Sequence, residues 1–429
     1  MVVDVLSFDV VDRYVRGYGN VLDPDGTSKW VPPMSSLVLS KEDVSALSFL
    51  TEGYYRVLNH IASEYDTFAE YLGFDEDLHA LLSTLPSYRS TLPLGRLDVF
   101  RTPDGFRVIE ANTESPGGAE ECDTIERLFS EYFLDKVDGF PHRRLDGYLD
   151  ILLSSYAEQA AEKGVVPIAS PTIALLEWPE DVVANSARYG LFLDYAKERG
   201  FDVRLASPLD ITYERGKGVV DGVPIDLFYR RFLLHDVPEK HADGYDFIRR
   251  LEDSSSVLVN PARSKCVGCK QALAIISGEA YESLFPYWLV EDVRDMRSYT
   301  PSTFSLLHPK LLEYYPEHFL SRRDEYVLKA GNGSSSKAVW VGADMSPGDW
   351  HDLLRQAWGN NYVLQERVEL DTLPVKVFSD GVVDAQMHYL LSPYMLNGKY
   401  GGIYARATEN NLLSSDREGL ATILPVYEK

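Results

Sequence analysis

The sequence predicts an α+β protein built from sheets of two kinds. Three observations carry that expectation. The stretch "GRLDVFRTPDGFRVIEAN" reads as a hairpin, a strand–helix–strand unit begins near Val165, and the last third alternates strands with Gly-rich turns in an antiparallel manner. At 429 residues the chain is long for one compact unit, so two or three domains or one large composite core are expected.

The elements follow in order. Residues 41–84 are expected to be helical, because apolar positions in "KEDVSALSFLTEGYYRVLNHIASEYDTFAEYLG" fall three and four apart. In the hairpin, Thr102-Pro103-Asp104-Gly105 supplies the turn between two alternating strands. "GGAEECDTIERLFSEYFLD" passes from loop to helix, and a second helix spans 145–163 with Gly164 as its stop. "PTIALLEWP" and "DVRLASP" are strands flanking an amphipathic helix that ends at Gly200, which implies a parallel, Rossmann-like sheet. A turn at Asp221-Gly222 leads to a strand carrying Tyr229, Arg230 and Arg231; a structural ion pair is the expected role of Arg231, with selection of a second anionic group as the alternative. "EYVLKAGNGSSSKAVWVGAD" reads as strand, Gly/Ser loop, strand. After the helix "DWHDLLRQAW" comes the strand "NYVLQERVEL", and then antiparallel strands in "VKVFSDGVVDAQMHYLLSPYML" and "GGIYARATENNLLSS".

Lys and Arg number 42 against 66 Asp and Glu, a formal charge of −24 that opposes non-specific binding to nucleic acid. The longest apolar runs are too short to span a bilayer, and the N-terminus carries acidic residues where a secretory signal carries basic ones. A soluble, cytoplasmic protein with no membrane partner is expected. The three cysteines make no disulfide framework, and "KCVGCK" lacks the second ligand pair that a structural zinc needs. Cys266 and Cys269 are expected to be small residues at the entry to a helix.

The hairpin carries chemistry beyond core filling. Residues two apart on a strand share a face, so Glu110 points with Asn112 and Arg96 with Asp98. If the strands pair, the oxygens of Asp98, Glu110 and Asn112 converge as hard donors suited to Mg²⁺, which phosphates complete at about 2.1 Å. Cross-strand ion pairs on an exposed face explain the same spacing equally well. Lys329 ends a strand before "AGNGSSSK", where flexible backbone N–H groups can approach phosphate, although the pattern is not a P-loop. The strand "VLQERVEL" offers a backbone edge to a base, with Glu366 or Glu369 near a ribose.

In this order the pieces resemble the circularly permuted ATP-grasp ligases, as in the synthetase domain of glutathionylspermidine synthetase. The resemblance spans roughly residues 90 to 429. It implies an ATP-grasp fold, circularly permuted, with an inserted Rossmann-like pre-ATP-grasp domain. The corresponding units are 1–164 (helical region plus metal-binding strands), 165–260 (Rossmann-like domain) and 261–429 (lysine and glycine-rich-loop lid with the C-terminal strands). Arg96-Leu97-Asp98 and Glu110-Ala111-Asn112 match the family's R-x-D and E-x-N metal segments. Asn260-Pro261 with Lys270, and then Lys329 before Gly331, Gly333, Ser334 and Ser335, match its nucleotide lysines and glycine-rich loop. Gln365, Glu366, Arg367 and Val368 match the adenine hinge, and Arg406 a late arginine. An arginine often found in the glycine-rich loop is missing. The segment before Arg96 is too short for the amidase domain of the bifunctional enzymes, so glutathionylspermidine is not implied as product.

The resemblance implies that ATP and Mg²⁺ activate a substrate carboxylate as an acyl phosphate. An amine, or a thiol, then displaces phosphate to form an amide or thioester. Arg96 and Arg406 are the expected catalytic residues, and Asp98 and Glu110 are expected as surface carboxylates. The substrates are small molecules (amino acid, peptide or polyamine), and neither their identity nor the oligomeric state is legible. Two rival readings stay open: an ATP-dependent phosphotransferase, and a non-catalytic nucleotide-binding scaffold of the same fold.

Overall fold

The computed structural model describes residues 8–23, 29–133, 139–309, 316–333, 338–410, 412–413 and 419–429. The region 41–84 is helical, but as three helices, Lys41–Ser63, Tyr65–Leu72 and Glu76–Thr84. Ser40 and Asp43 cap the first with a reciprocal capping box. Gly73, at φ +68°, ends the second, and Asp75 caps the third by accepting from Leu78 N. The first helix buries Leu47, Leu50, Tyr54, Val57, Leu58 and Ile61, a three-and-four spacing along one stripe. That stripe joins the largest apolar core, together with Leu97, Val99, Val108 and Leu391 of a central sheet. Truncating one of its leucines, Leu50→Ala for example, costs about 2–5 kcal/mol.

The central sheet is antiparallel. Its strands run Ala421–Leu424, Lys399–Thr408, Val382–Leu396, Leu94–Thr102 and Gly105–Asn112 across the sheet. Val382–Leu396 is long enough to serve two partners on one edge. Its first half pairs with Thr372–Phe378 and its second half with Leu94–Val99.

The unit after Val165 is a four-stranded parallel sheet ordered Val257–Val259, Leu227–Arg230, Ile173–Leu176, Val203–Ala206. Parallel strands need crossovers; the first is made by Pro179–Ala184 and Ser186–Glu198, two helices where one was expected. A third sheet, antiparallel, is ordered Thr303–Ser305, Tyr362–Glu366, Tyr326–Ala330, Val339–Val341. It packs on Trp350 and Leu354 of the helix Pro347–Ala357. Cys266 and Cys269 are buried free thiols just ahead of the helix Gln271–Ser277. No helix among the described residues is long and apolar enough to cross a membrane.

Candidate functional site

The hairpin register sets the site. Arg96 stands opposite Asn112 and Asp98 opposite Glu110, with the ladder shifting just after Asp98. Directly opposed residues in an antiparallel pair share a face, so all four side chains leave the sheet on one side. They enter a cleft of about 540 Å³ between the central sheet and the third sheet, which Lys329, Gln365 and Arg406 also line. Asn260 fixes the base of the hairpin. Its carboxamide accepts from Leu94 N at 3.0 Å and donates to Leu94 O and Thr113 O, each at 2.7 Å, which ties both strands to the end of the parallel sheet.

Asp98 is the most confined member of the set. Its Oδ1 accepts from Arg96 Nε at 3.2 Å and Ser392 Oγ at 2.9 Å, and its Oδ2 from Arg406 Nη2 at 3.0 Å. At 6% exposure it is buried, not the surface carboxylate expected from the sequence. Burial works to raise its pKa, but Arg96 and Arg406 more than offset this and hold the carboxyl below the usual range. Glu110 is more open and pairs with Lys270 Nζ at 3.2 Å. Lys270 Nζ also donates to Gly333 O at 2.7 Å, and its backbone N–H to Gly331 O at 2.9 Å.

Lys329 is buried and donates to Gln365 Oε1 at 2.7 Å and Ile109 O at 3.3 Å. Gln365 in turn donates to Thr303 Oγ1 at 3.0 Å. Burial above all, and then Lys270, lower the Lys329 pKa to about 8, while Glu110 and Asp98 oppose the shift. Two donors are left over: Asn112 Nδ2 and Arg406 Nε are buried without a hydrogen-bond partner.

Arg96, Asp98, Glu110, Asn112, Lys329, Gln365, Glu366, Arg367, Val368 and Arg406 thus lie on one cleft. Lys270 reaches it through Glu110, and Gly331 and Gly333 through Lys270. Arg367 and Val368 follow the end of their strand. Ser334 and Ser335 lie outside the described residues. Sequence reasoning missed Ser392, Thr303 and the Asn260 clamp. Ser392 had a signal, a lone hydroxyl inside the apolar run "LLSPYML".

Arg96, Arg406, Lys270 and Lys329 outnumber the carboxylates they face, in a chain whose net charge is −24. Such a local excess of cations favours a polyanion. Among the described residues no group of three or more His, Cys, Asp or Glu stands ready for a metal ion. A cation here therefore needs the Asn112 oxygen and oxygens brought by the ligand. Two carboxylates, a carboxamide with an orphaned amide, and neighbouring basic groups fit Mg²⁺ arriving on a phosphate chain.

The sequence matches no protein-family model and no curated protein. Among solved structures, a glutathione synthetase-like effector (GSS30) from Globodera pallida in its apo form superposes with a TM-score of 0.60 at 13% identity, covering 98% of this chain and 96% of that one. A candidate γ-glutamylcysteine synthetase from Methylobacillus flagellatus KT gives a TM-score of 0.39 at 11% identity, covering 84% and 83%, too loose a match to bear on the fold. The chain has a mixed α/β fold resembling the glutathione synthetase-like protein over essentially its whole length.

Proposed function

We propose that the protein is an ATP-dependent carboxylate–amine ligase of the circularly permuted ATP-grasp type. In this reading 1–164, 165–260 and 261–429 are the metal-strand, pre-grasp and lid-bearing units. The observation that carries it is the convergence of Arg96, Lys270, Lys329 and Arg406 from four separate segments onto the paired Asp98 and Glu110. Likeness in fold to a glutathione synthetase-like protein supports it.

The triphosphate occupies the basic end of the cleft, and the base lies against apolar side chains such as Val327, Val341 and Leu390 beside Gln365–Val368. Asp98, Glu110 and Asn112 would hold a Mg²⁺, which would supply charge neutralisation for the phosphates. Lys270 gives up Glu110 and turns with Lys329 to the phosphate oxygens. A substrate carboxylate oxygen attacks the γ-phosphorus, and the bond to ADP breaks. Arg96, Lys270 and Lys329 offset the charge on the transferred group, which is where most of the rate enhancement of such transfers arises. The amine nitrogen then attacks the acyl carbon, the carbon–oxygen bond to phosphate breaks, and the nitrogen's proton leaves with the phosphate. Arg406 holds the acyl phosphate.

Hydroxylamine trapping tests this reading. With ATP, Mg²⁺ and a carboxylate substrate, a hydroxamate and ADP should form together, and Glu110→Ala should form neither. A stable phosphorylated product without hydroxamate would assign a phosphotransferase. Nucleotide binding without turnover of any amino acid, peptide or polyamine would assign a scaffold.

A further inference from the structure

A second concentration of charge lies across Gly117 from the cleft, and the chemistry above does not use it. The parallel sheet begins with Ile173–Leu176, adds Val203–Ala206 on one side and then Leu227–Arg230 on the other. Where strand order reverses in this way, the connections leaving adjacent strands diverge, and a crevice opens beyond their C-terminal ends. Glu177 and Arg231 are the first residues past the two strands at that point, and Arg231 N donates to Leu176 O at 2.9 Å.

The start of the helix Ala119–Phe133 faces them. Glu120, in its first turn, is wholly buried, lies 3.7 Å from Arg231 Nη1, and has no hydrogen bond to either carboxylate oxygen. Arg231 Nη1 donates to Tyr229 Oη at 2.7 Å, while its Nε has no acceptor. Glu121 holds Arg188 Nε through Oε1, and its Oε2 is buried and unpaired. A Cβ on Gly117 would stand 3.2 Å from Arg231 Nη2 and 3.4 Å from Arg188 Nη1. Both guanidinium groups therefore converge on a loop residue that has no side chain. Arg188, partly exposed, marks the opening to solvent.

A buried ion pair that serves only stability closes to contact, as Arg144 and Glu126 do with two hydrogen bonds of 2.7 Å. The Glu120–Arg231 pair stays open, although a buried carboxylate without donors carries a large desolvation penalty. Its empty acceptors call for an ammonium group, and the free edges of Arg231 and Arg188 call for a carboxylate. We propose that this cluster binds the zwitterionic headgroup of an α-amino acid, the ammonium on Glu120 and the carboxylate on Arg231 and Arg188. Gly117 O accepts from Arg96 Nη1 and Tyr394 Oη, each at 2.9 Å, so one peptide unit separates this site from the cleft. The inference rests on the ligase reading and names the class of one substrate.

The test measures binding to the wild-type chain by calorimetry with Mg²⁺ and a non-hydrolysable ATP analogue present. The ligands are the twenty proteinogenic L-amino acids, with L-glutamate set against glutarate and 4-aminobutyrate, and L-alanine against propionate and ethylamine. At least one amino acid should bind, analogues lacking either headgroup charge should bind at least tenfold more weakly, and Glu120→Gln or Arg231→Lys should cost tenfold or more. Glutarate and propionate, which lack the ammonium, should bind Glu120→Gln within twofold of wild type, as should 4-aminobutyrate and ethylamine, which lack the carboxylate, with Arg231→Lys. Unchanged binding of the nucleotide analogue verifies folding. If a buried variant misfolds, the half-exposed Arg188→Ala should show the same selective loss. Failure of every amino acid to bind, equal binding of the half-analogues, or unchanged affinity in the folded variants would overturn the assignment. Failure of the nucleotide analogue itself would instead remove the ligase reading, whatever the amino acids do.

Discussion

The two polar regions on either side of Gly117 are built on opposite principles. In the cleft Asp98 and Glu110 are paired with basic groups, the buried atoms left over are the donors Asn112 Nδ2 and Arg406 Nε, and the excess charge is positive. Around Glu120 the charges balance, two glutamates against two arginines, yet carboxylate oxygens and a guanidinium nitrogen are left without partners. The first arrangement leaves only donors over, and in the proposed reading it takes a polyanion that brings its own cation. The second is incomplete, and only a ligand carrying both signs completes it. The kind of atom left over, donors in the cleft and both acceptors and a donor around Glu120, separates the two regions more sharply than their charge does.

The largest expected effect breaks the cleft alone. Asp98→Asn, Glu110→Ala or Lys329→Ala should each lower ATP-dependent phosphate release about 10²–10³-fold, the scale of one lost charge-stabilising contact. Turnover measured beside amino-acid binding checks this, and binding at the Glu120 cluster should survive in all three. Because Asp98 is buried between Arg96 and Arg406, Asp98→Ala should also lower the melting temperature, whereas Glu110→Ala should not.

Gly118 joins the two regions and should rank next. It sits at φ +101°, and an added Cβ would meet Tyr394 Oη and the Tyr404 ring at 3.0 Å. Gly105, at φ +120°, has nothing within 4 Å of the same position. Both alanine variants bear the backbone cost, about 1–3 kcal/mol, and Gly118→Ala adds about 1–3 kcal/mol of overpacking. Urea denaturation of the pair isolates the second contribution.

A pH titration sharpens the contrast further. Lys329 is protonated in the unfolded chain up to its ordinary value of 10.5 but in the folded one only up to about 8. The unfolded chain binds the extra proton between those values, so this lysine's contribution makes stability rise from about pH 8 to 10.5, with a constant penalty below. Phosphate beside Lys329 restores its charge. Nucleotide binding at pH 8.5 should therefore take up a proton, seen as a buffer-dependent heat, and affinity should fall as pH rises through 8. The amino-acid site should show no such uptake. Smallest of all, alkylating reagents should leave activity unchanged, because burial pushes both the Cys266 and Cys269 thiols upward.

The hairpin was legible because its turn chemistry and its alternation agree, and the polar residues two apart follow from the strand period alone. The breaks at Gly73 and Asn185 were less so, since apolar periodicity runs on through a cap. The meeting of Lys270 with Glu110 joins the start of the helix Gln271–Ser277 to a hairpin strand 160 positions earlier, which no local pattern encodes; only the family resemblance suggested it. Gln365 was expected to offer its backbone, yet its side chain is what holds Lys329. Arg231 stood out in the sequence, but its partner Glu120 was beyond reach, because their proximity depends on which side of Ile173–Leu176 the returning strand joins.

The central claim is that Asp98, Glu110 and Asn112 share one divalent cation with a nucleotide's phosphates. Crystals grown with Mn²⁺ and a non-hydrolysable ATP analogue test it most directly through the anomalous signal of the metal. The account predicts one strong peak within coordination distance of oxygens from all three side chains, with Lys270 released from Glu110 toward the phosphates. A metal peak elsewhere, or a bound analogue with the Lys270–Glu110 and Arg406–Asp98 pairs still closed, would contradict it.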